Sequence, residues 1–222
     1  MEFEHQELEV IHEKRLVGTI ITGKPKKSSL AVTFSTILVI ALVTQFYWQA
    51  PPIWSELLPA IKDKIYNEGE WWRVFTAIFI HADFGHFLSN MYMLGIFSFF
   101  VYGYFGFGVY PILSFFCAGI VNALSIMTYA PEVRLLGASG LVYLLGGVWF
   151  TLYFLVQRQY SLVNRSLRVI GIGFMIFLPT TFVPTVSYRT HAIGFVVGVV
   201  MGVVYFYRNQ KFIRTCEVYE TR

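Results

Sequence analysis

Ser139 stands in the run G-A-S-G, with Gly137 two residues before it and Gly140 directly after it, at the head of an apolar segment. Glycine removes the bulk of a β-carbon, so a second helix or a substrate backbone can approach the hydroxyl closely. A serine so placed has two readings: a small-residue packing face, in which its hydroxyl bonds a carbonyl one turn back, or a nucleophile. His191 opens another apolar segment, YRTHAIGFVVGVVMG. A histidine in such a segment faces a bundle interior or a water-filled cavity. Gly194, Gly198 and Gly202 follow it at intervals of three, four and four, on the same helical face, and let that helix lie close to a neighbour. The run HADFGHFLSNMYM places His86 and Asn90 one turn apart on one face, where both can donate to a single oxygen. Such donors stabilise an oxyanion during acyl transfer, the more so where water is scarce. The structural alternatives are a pore-lining His191 and an Asn90 that glues helices together with His86. His81, ahead of that segment, reads as a brace for the preceding loop.

A nucleophile, a base and an oxyanion site are the parts that acyl transfer requires. A helix beginning near Ser139 also offers free backbone N–H groups and the positive end of its dipole. Tyr143, one turn further on, is placed to pack on the His191 ring. No acidic residue lies between Phe84 and Pro131 or between Val133 and Cys216. With only Asp83 nearby, the base would work in a Ser/His dyad and not in a three-member triad.

The elements that position these residues follow from composition. Of 222 residues, 56% are hydrophobic and 14% charged, too apolar for an ordinary soluble domain. A spanning helix needs roughly 20 apolar residues to cross about 30 Å of hydrocarbon. Six windows qualify, at 29–49, 86–103, 109–129, 136–156, 169–187 and 190–207. They predict an all-α, polytopic bundle of six transmembrane helices over 28–207, with a cytoplasmic tail at 1–27 and another at 208–222. The first window is too long for a cleaved signal peptide. With the N-terminus inside, 12 of the 17 basic residues fall on the inner side, which predicts both termini in the cytoplasm. The net charge of +4 then reflects membrane topology, and no nucleic-acid partner is expected. In this topology Ser139, His191 and His86 all lie near the outer face, each at the start of an inward-running helix. The long connection between the first two spans, rich in Trp and Ile, is expected to lie in the interface. Cys117 and Cys216 are too far apart in the topology for a disulfide and have no zinc-ligand spacing.

Taken together, these motifs resemble the rhomboid family of intramembrane serine proteases, over about residues 28–207. EWWR (Glu70–Arg73) is similar to the family's tryptophan–arginine signature, HADFGHFLSN to its H-x-x-x-x-H-x-x-x-N, GASG to its G-x-S-G and HAIGFVVG to its H-x-x-G-x-x-x-G. The resemblance implies Ser139 as nucleophile, His191 as general base, and His86, Asn90 and the Ser139 N–H as oxyanion donors, with Gly137 and Tyr143 in support. His81, Arg73, Gly194 and Gly198 would be structural. It implies substrates that are transmembrane segments of other proteins, cut near the outer face, no cofactor and no metal, and a multi-pass protein of a prokaryotic inner membrane. Two positions depart from the pattern. Tyr102 stands where a Glu often precedes Gly106, and Thr190 stands before the histidine where a smaller residue is common. Two other classes compete: a non-catalytic relative that binds transmembrane clients, and a transporter or metal site built on His81, Asp83 and His86. The second lacks buried acids and the H-E-x-x-H pattern.

Overall fold

The computed structural model describes residues 14–181 and 187–221, with 178–181 as backbone only. A short strand, β1 (Lys14–Gly18), leads through a turn at Ile20–Thr22 to helix α1 (Ser29–Gln49). Its 21 residues extend about 30 Å, enough to cross the hydrocarbon. Two prolines end it, and Pro52 opens the short helix α2 (Pro52–Leu57), where a missing N–H costs nothing. The long connection then folds as β2 (Ala60–Ile61), α3 (Lys62–Tyr66) and α4 (Arg73–Thr76). Helix α5 (Phe84–Phe105) follows, capped by Asp83, and stops at Gly106 with φ 86°. A π-helical turn at Gly108–Leu113 runs into α6 (Ser114–Met127). Strand β3 (Arg134–Leu135) pairs antiparallel with β2 and precedes α7 (Ser139–Val156). Helices α8 (Leu162–Thr181), α9 (Tyr188–Arg208) and α10 (Gln210–Thr215) lead to β4 (Val218–Thr221), which pairs antiparallel with β1.

Five helical spans among the described residues are long and apolar enough to cross a membrane: α1, α5, Gly108–Met127, α7 and α9. They coincide with five of the six predicted windows. The remaining window, 169–187, lies partly outside the described residues. Its helix begins earlier than predicted, at Leu162, because the polar residues of its first turns are accommodated. Arg165 donates to the Phe154 carbonyl at 2.7 Å, and the Arg168 guanidinium lies 3.8 Å from the centre of the Tyr160 ring. The basic residues just ahead of the predicted window, Arg165 and Arg168, are therefore helical.

The long connection has its own small core, in which Ala60, Ile65, Val74 and Ala77 close against Ile126 and Leu135. Trp54, Trp71 and Trp72 remain exposed on its surface. The segments read as tails are also tied down. Besides the β1–β4 ribbon, Thr19 donates to Gln157, and Arg158 pairs with Glu217 at 2.8 Å.

Helix α7 is the central member, buried along most of its length against α5, α6, α8 and α9. Lipid tails are as apolar as Leu, so helix association there depends on close packing and not on removal of surface from water. The α7–α9 contact is of that kind. A Cβ at Gly194 would lie 2.6 Å from the Gly140 carbonyl oxygen, and Cβ atoms at Gly198 and Gly147 would overlap the backbones of Leu144 and Phe195. The two backbones touch because these positions carry no side chain.

Candidate active site

Gly137 begins the site. Its φ of 115° is open to glycine but strained for any other residue. A Cβ there would also lie 2.6 Å from His86 Cε1. Its N–H donates to the Ala77 carbonyl at 2.8 Å, and the next N–H, of Ala138, donates to His81 Nε2 at 3.3 Å. The chain then enters α7 at Ser139, whose residue is 7% exposed. The first α7 bond to reach back past the serine runs from Val142 N–H to the Ala138 carbonyl at 2.9 Å, which leaves the N–H groups of the opening turn pointing outward.

His81 is fully buried and acts as a two-sided strut. Its Nε2 accepts from Ala138, so its Nδ1 carries the proton and donates to Thr44 Oγ1 at 3.0 Å; Thr44 in turn donates to the Phe79 carbonyl at 3.0 Å. Burial, and secondarily the neighbouring His86, hold its pKa down at about 3, which keeps it in the neutral form this arrangement needs. The reading of His81 as a loop brace fits this geometry, and both ring nitrogens are committed. That leaves His81 no lone pair with which to ligate a metal. Asp83 caps α5, its Oδ1 accepting from the His86 N–H at 2.8 Å.

His86 and Asn90 share a face of α5 and both face Gly137. The Asn90 amide donates to the His86 carbonyl at 3.0 Å and has one N–H left. His191 lies in the first turn of α9, its ring stacked on Tyr143 with centroids 3.9 Å apart and planes 13° from parallel. Tyr143 is one turn below Ser139 on α7, so the imidazole is set beside the serine's end of that helix. Among the hydrogen bonds of the described residues, none joins Ser139 Oγ to His191; such bonds are often long before substrate arrives.

Arg73 is distant from this cluster in role. It pairs with Glu70 and donates to the Glu56 and Pro59 carbonyls at 2.5 and 3.1 Å, holding the long connection together. Gly194 and Gly198 form the α9 side of the helix crossing. Tyr102, at the position that departs from the family pattern, hydrogen-bonds Ser28 at 2.9 Å and so anchors the entry to α1. Thr190, the other departure, bonds Ser187 at 2.7 Å and packs its methyl against Gly140.

Three supporting residues escape the sequence reading. Thr44 completes the His81 strut but looks like any hydroxyl in an apolar helix. Phe177 stacks on Tyr143 at 4.4 Å, one of 22 phenylalanines with nothing to distinguish it. Asn122 does carry a signal, being a lone amide in an apolar span. It donates to the Val74 carbonyl at 2.8 Å and sets the long connection against the α6 face beside Gly140.

A family model described as the Rhomboid domain matches residues 68–208. The chain is also similar to RHOMBOID-like protein 5 of Arabidopsis thaliana, 27% identical over 165 residues that make up 70% of this chain and 53% of that protein. The chain thus spans about half the length of that relative.

Proposed function

The chain belongs to the rhomboid family and is an integral membrane protein, and on that premise we propose that it is a serine endopeptidase cutting transmembrane segments of other proteins. The observation that carries this reading is the His191 ring fixed on Tyr143, one turn below a Ser139 whose loop is held by Ala77 and His81. In the reaction, His191 takes the Ser139 proton as Oγ attacks the scissile carbonyl carbon. The carbonyl oxygen becomes an oxyanion facing the Ser139 N–H, His86 and Asn90. The imidazolium then returns its proton to the leaving amine, and water hydrolyses the acyl-enzyme by the same steps. With Asp83 committed to its helix cap, the base works without a carboxylate partner. Gly137 and Gly140 leave room for the substrate backbone. The site lies near the outer face of a prokaryotic inner membrane, with both termini cytoplasmic.

The test is mass spectrometry of the detergent-solubilised protein after treatment with a fluorophosphonate. A single adduct at Ser139, absent in Ser139→Ala and His191→Ala, is the expected result. A folded protein that binds transmembrane clients yet never takes up the label would instead be a non-catalytic adaptor.

A further inference from the structure

Between α1 and the start of the Gly108–Met127 span lies a groove of about 450 Å³, lined by Ser35 and Thr36 on one side and by Phe79, Phe107 and Phe115 on the other. That volume falls in the usual range of small-molecule sites, roughly 300–1,000 Å³. Along α1 the lining runs from Ala31 to Val39, about 12 Å at ~1.5 Å per residue. A single leaflet contributes about half of the ~30 Å hydrocarbon core, so the groove has the depth of one leaflet.

The charge at one end is as distinctive as the depth. Lys26 and Lys27 are exposed and directly precede α1, and Lys26 Nζ reaches within 2.7 Å of where a Cβ would sit on Gly106, next to groove-lining Phe107. Neither lysine takes part in the ion pairs formed among the described residues. No Asp or Glu occurs in residues 14–55 or 84–131, the segments that supply the mouth and most of both walls. An apolar slot one leaflet deep with the Lys26 ammonium at its mouth and Lys27 next in the chain, neither paired with an acid among the described residues, matches a molecule with a long apolar tail and an anionic head.

We propose that this groove binds one anionic diacyl phospholipid, with an acyl chain against Phe107 and Phe115 and its phosphate at Lys26 and Lys27. The bound chain also packs on Phe79, which stacks on Phe115 at 5.4 Å and whose carbonyl receives the Thr44 hydroxyl. The lipid thereby buttresses the wall from which the Thr44–His81 strut reaches the Ser139 loop.

The experiment is native mass spectrometry of the full chain released from vesicles of equal parts phosphatidylcholine and phosphatidylglycerol. One phosphatidylglycerol is expected to stay bound, in preference to phosphatidylcholine, whose own cation opposes the lysines. The double variant Lys26→Gln/Lys27→Gln should hold it about thirtyfold more weakly, near fivefold per lysine. Ser35→Phe fills the groove from an exposed position and should remove the adduct, whereas Val200→Phe on the exposed face of α9 should keep it. Equal retention of the two lipids, or an adduct undiminished in Ser35→Phe, overturns the proposal. Because the readout is lipid mass, the result is independent of whether Ser139 reacts with a fluorophosphonate.

Discussion

His81 meets two hydrogen-bonding demands at once, and neither survives protonation. An imidazolium has no lone pair to accept the Ala138 N–H, and burial already disfavours the charge. With a folded pKa of about 3 against an ordinary value near 6.5, the unfolded chain takes up a proton below pH 6.5 that the folded chain refuses until about pH 3. Stability is therefore complete above pH 6.5 and falls as pH drops through that window, by up to roughly 5 kcal/mol from this group. His81→Gln removes the titration along with the strut, at a cost of about 1–3 kcal/mol at pH 7 for the buried partners left unsatisfied. Thermal midpoints in detergent at pH 7 and pH 4.5 should show the gap between wild type and variant narrowing at the lower pH; a gap unaffected by pH would remove the neutral-strut account. Cleavage assays separate this supporting role from the chemical ones. Ser139→Ala and His191→Ala should lower the rate by several orders of magnitude, up to about 10⁶. Asn90→Ala should cost about 10²–10³, as loss of one oxyanion donor does. The polar residues at the site were legible in the sequence because each is out of place in lipid. Phe177 and Thr44 were not, since an aromatic or a hydroxyl in an apolar helix is ordinary until its neighbours are known.

At the level of elements, Ser139 and His191 are carried on separate helices, and their relative position depends on how closely α7 and α9 cross. That crossing is set by hydrogen atoms standing where side chains would be. Gly198→Ala pushes a methyl into the Leu144 backbone, which has no flexible end to give way, so the helices must separate or shift register. Gly171 on α8 has nothing within 4 Å of its Cβ position, and an alanine there should be neutral or stabilise the helix by about 0.5–1 kcal/mol. Purified in parallel, Gly198→Ala is expected to lose both several degrees of thermal midpoint and most of its fluorophosphonate labelling, while Gly171→Ala loses neither. Equal behaviour of the two variants would mean that the crossing does not govern the site. The spacing of Gly194, Gly198 and Gly202 announced a tight helix contact before the partner was known. What spacing could not supply was the start of α8, because a hydropathy window discounts Asn164, Arg165 and Arg168. In the folded chain, Arg165 finds the Phe154 carbonyl and Arg168 the Tyr160 ring, so the helix extends through them.

For the molecule as a whole, the ribbon between β1 and β4 imposes a constraint on topology that hydropathy does not contain. Lys14 pairs with Thr221, Arg15 with Glu220 and Leu16 with Tyr219, which is possible only if the two ends of the chain lie on the same side of the membrane. An odd number of crossings cannot return the chain to its starting face. Five apolar spans alone would leave the ends apart; the proposed topology therefore counts α8 as a further crossing, although its charged first turns make it the least lipid-like of the long helices. In the proposed topology the shared side is the cytoplasm, the side that basic residues favour. Impermeant maleimide labelling of single-cysteine variants in sealed, right-side-out vesicles tests this directly, with Cys117 and Cys216 first replaced by serine. Thr22→Cys and Thr221→Cys should both be protected until the vesicles are opened, and Glu132→Cys, in the loop between α6 and β3, should label at once. If one terminus reacted in sealed vesicles and the other did not, the strands could not pair, and the Arg158–Glu217 contact beside them would be lost with the ribbon.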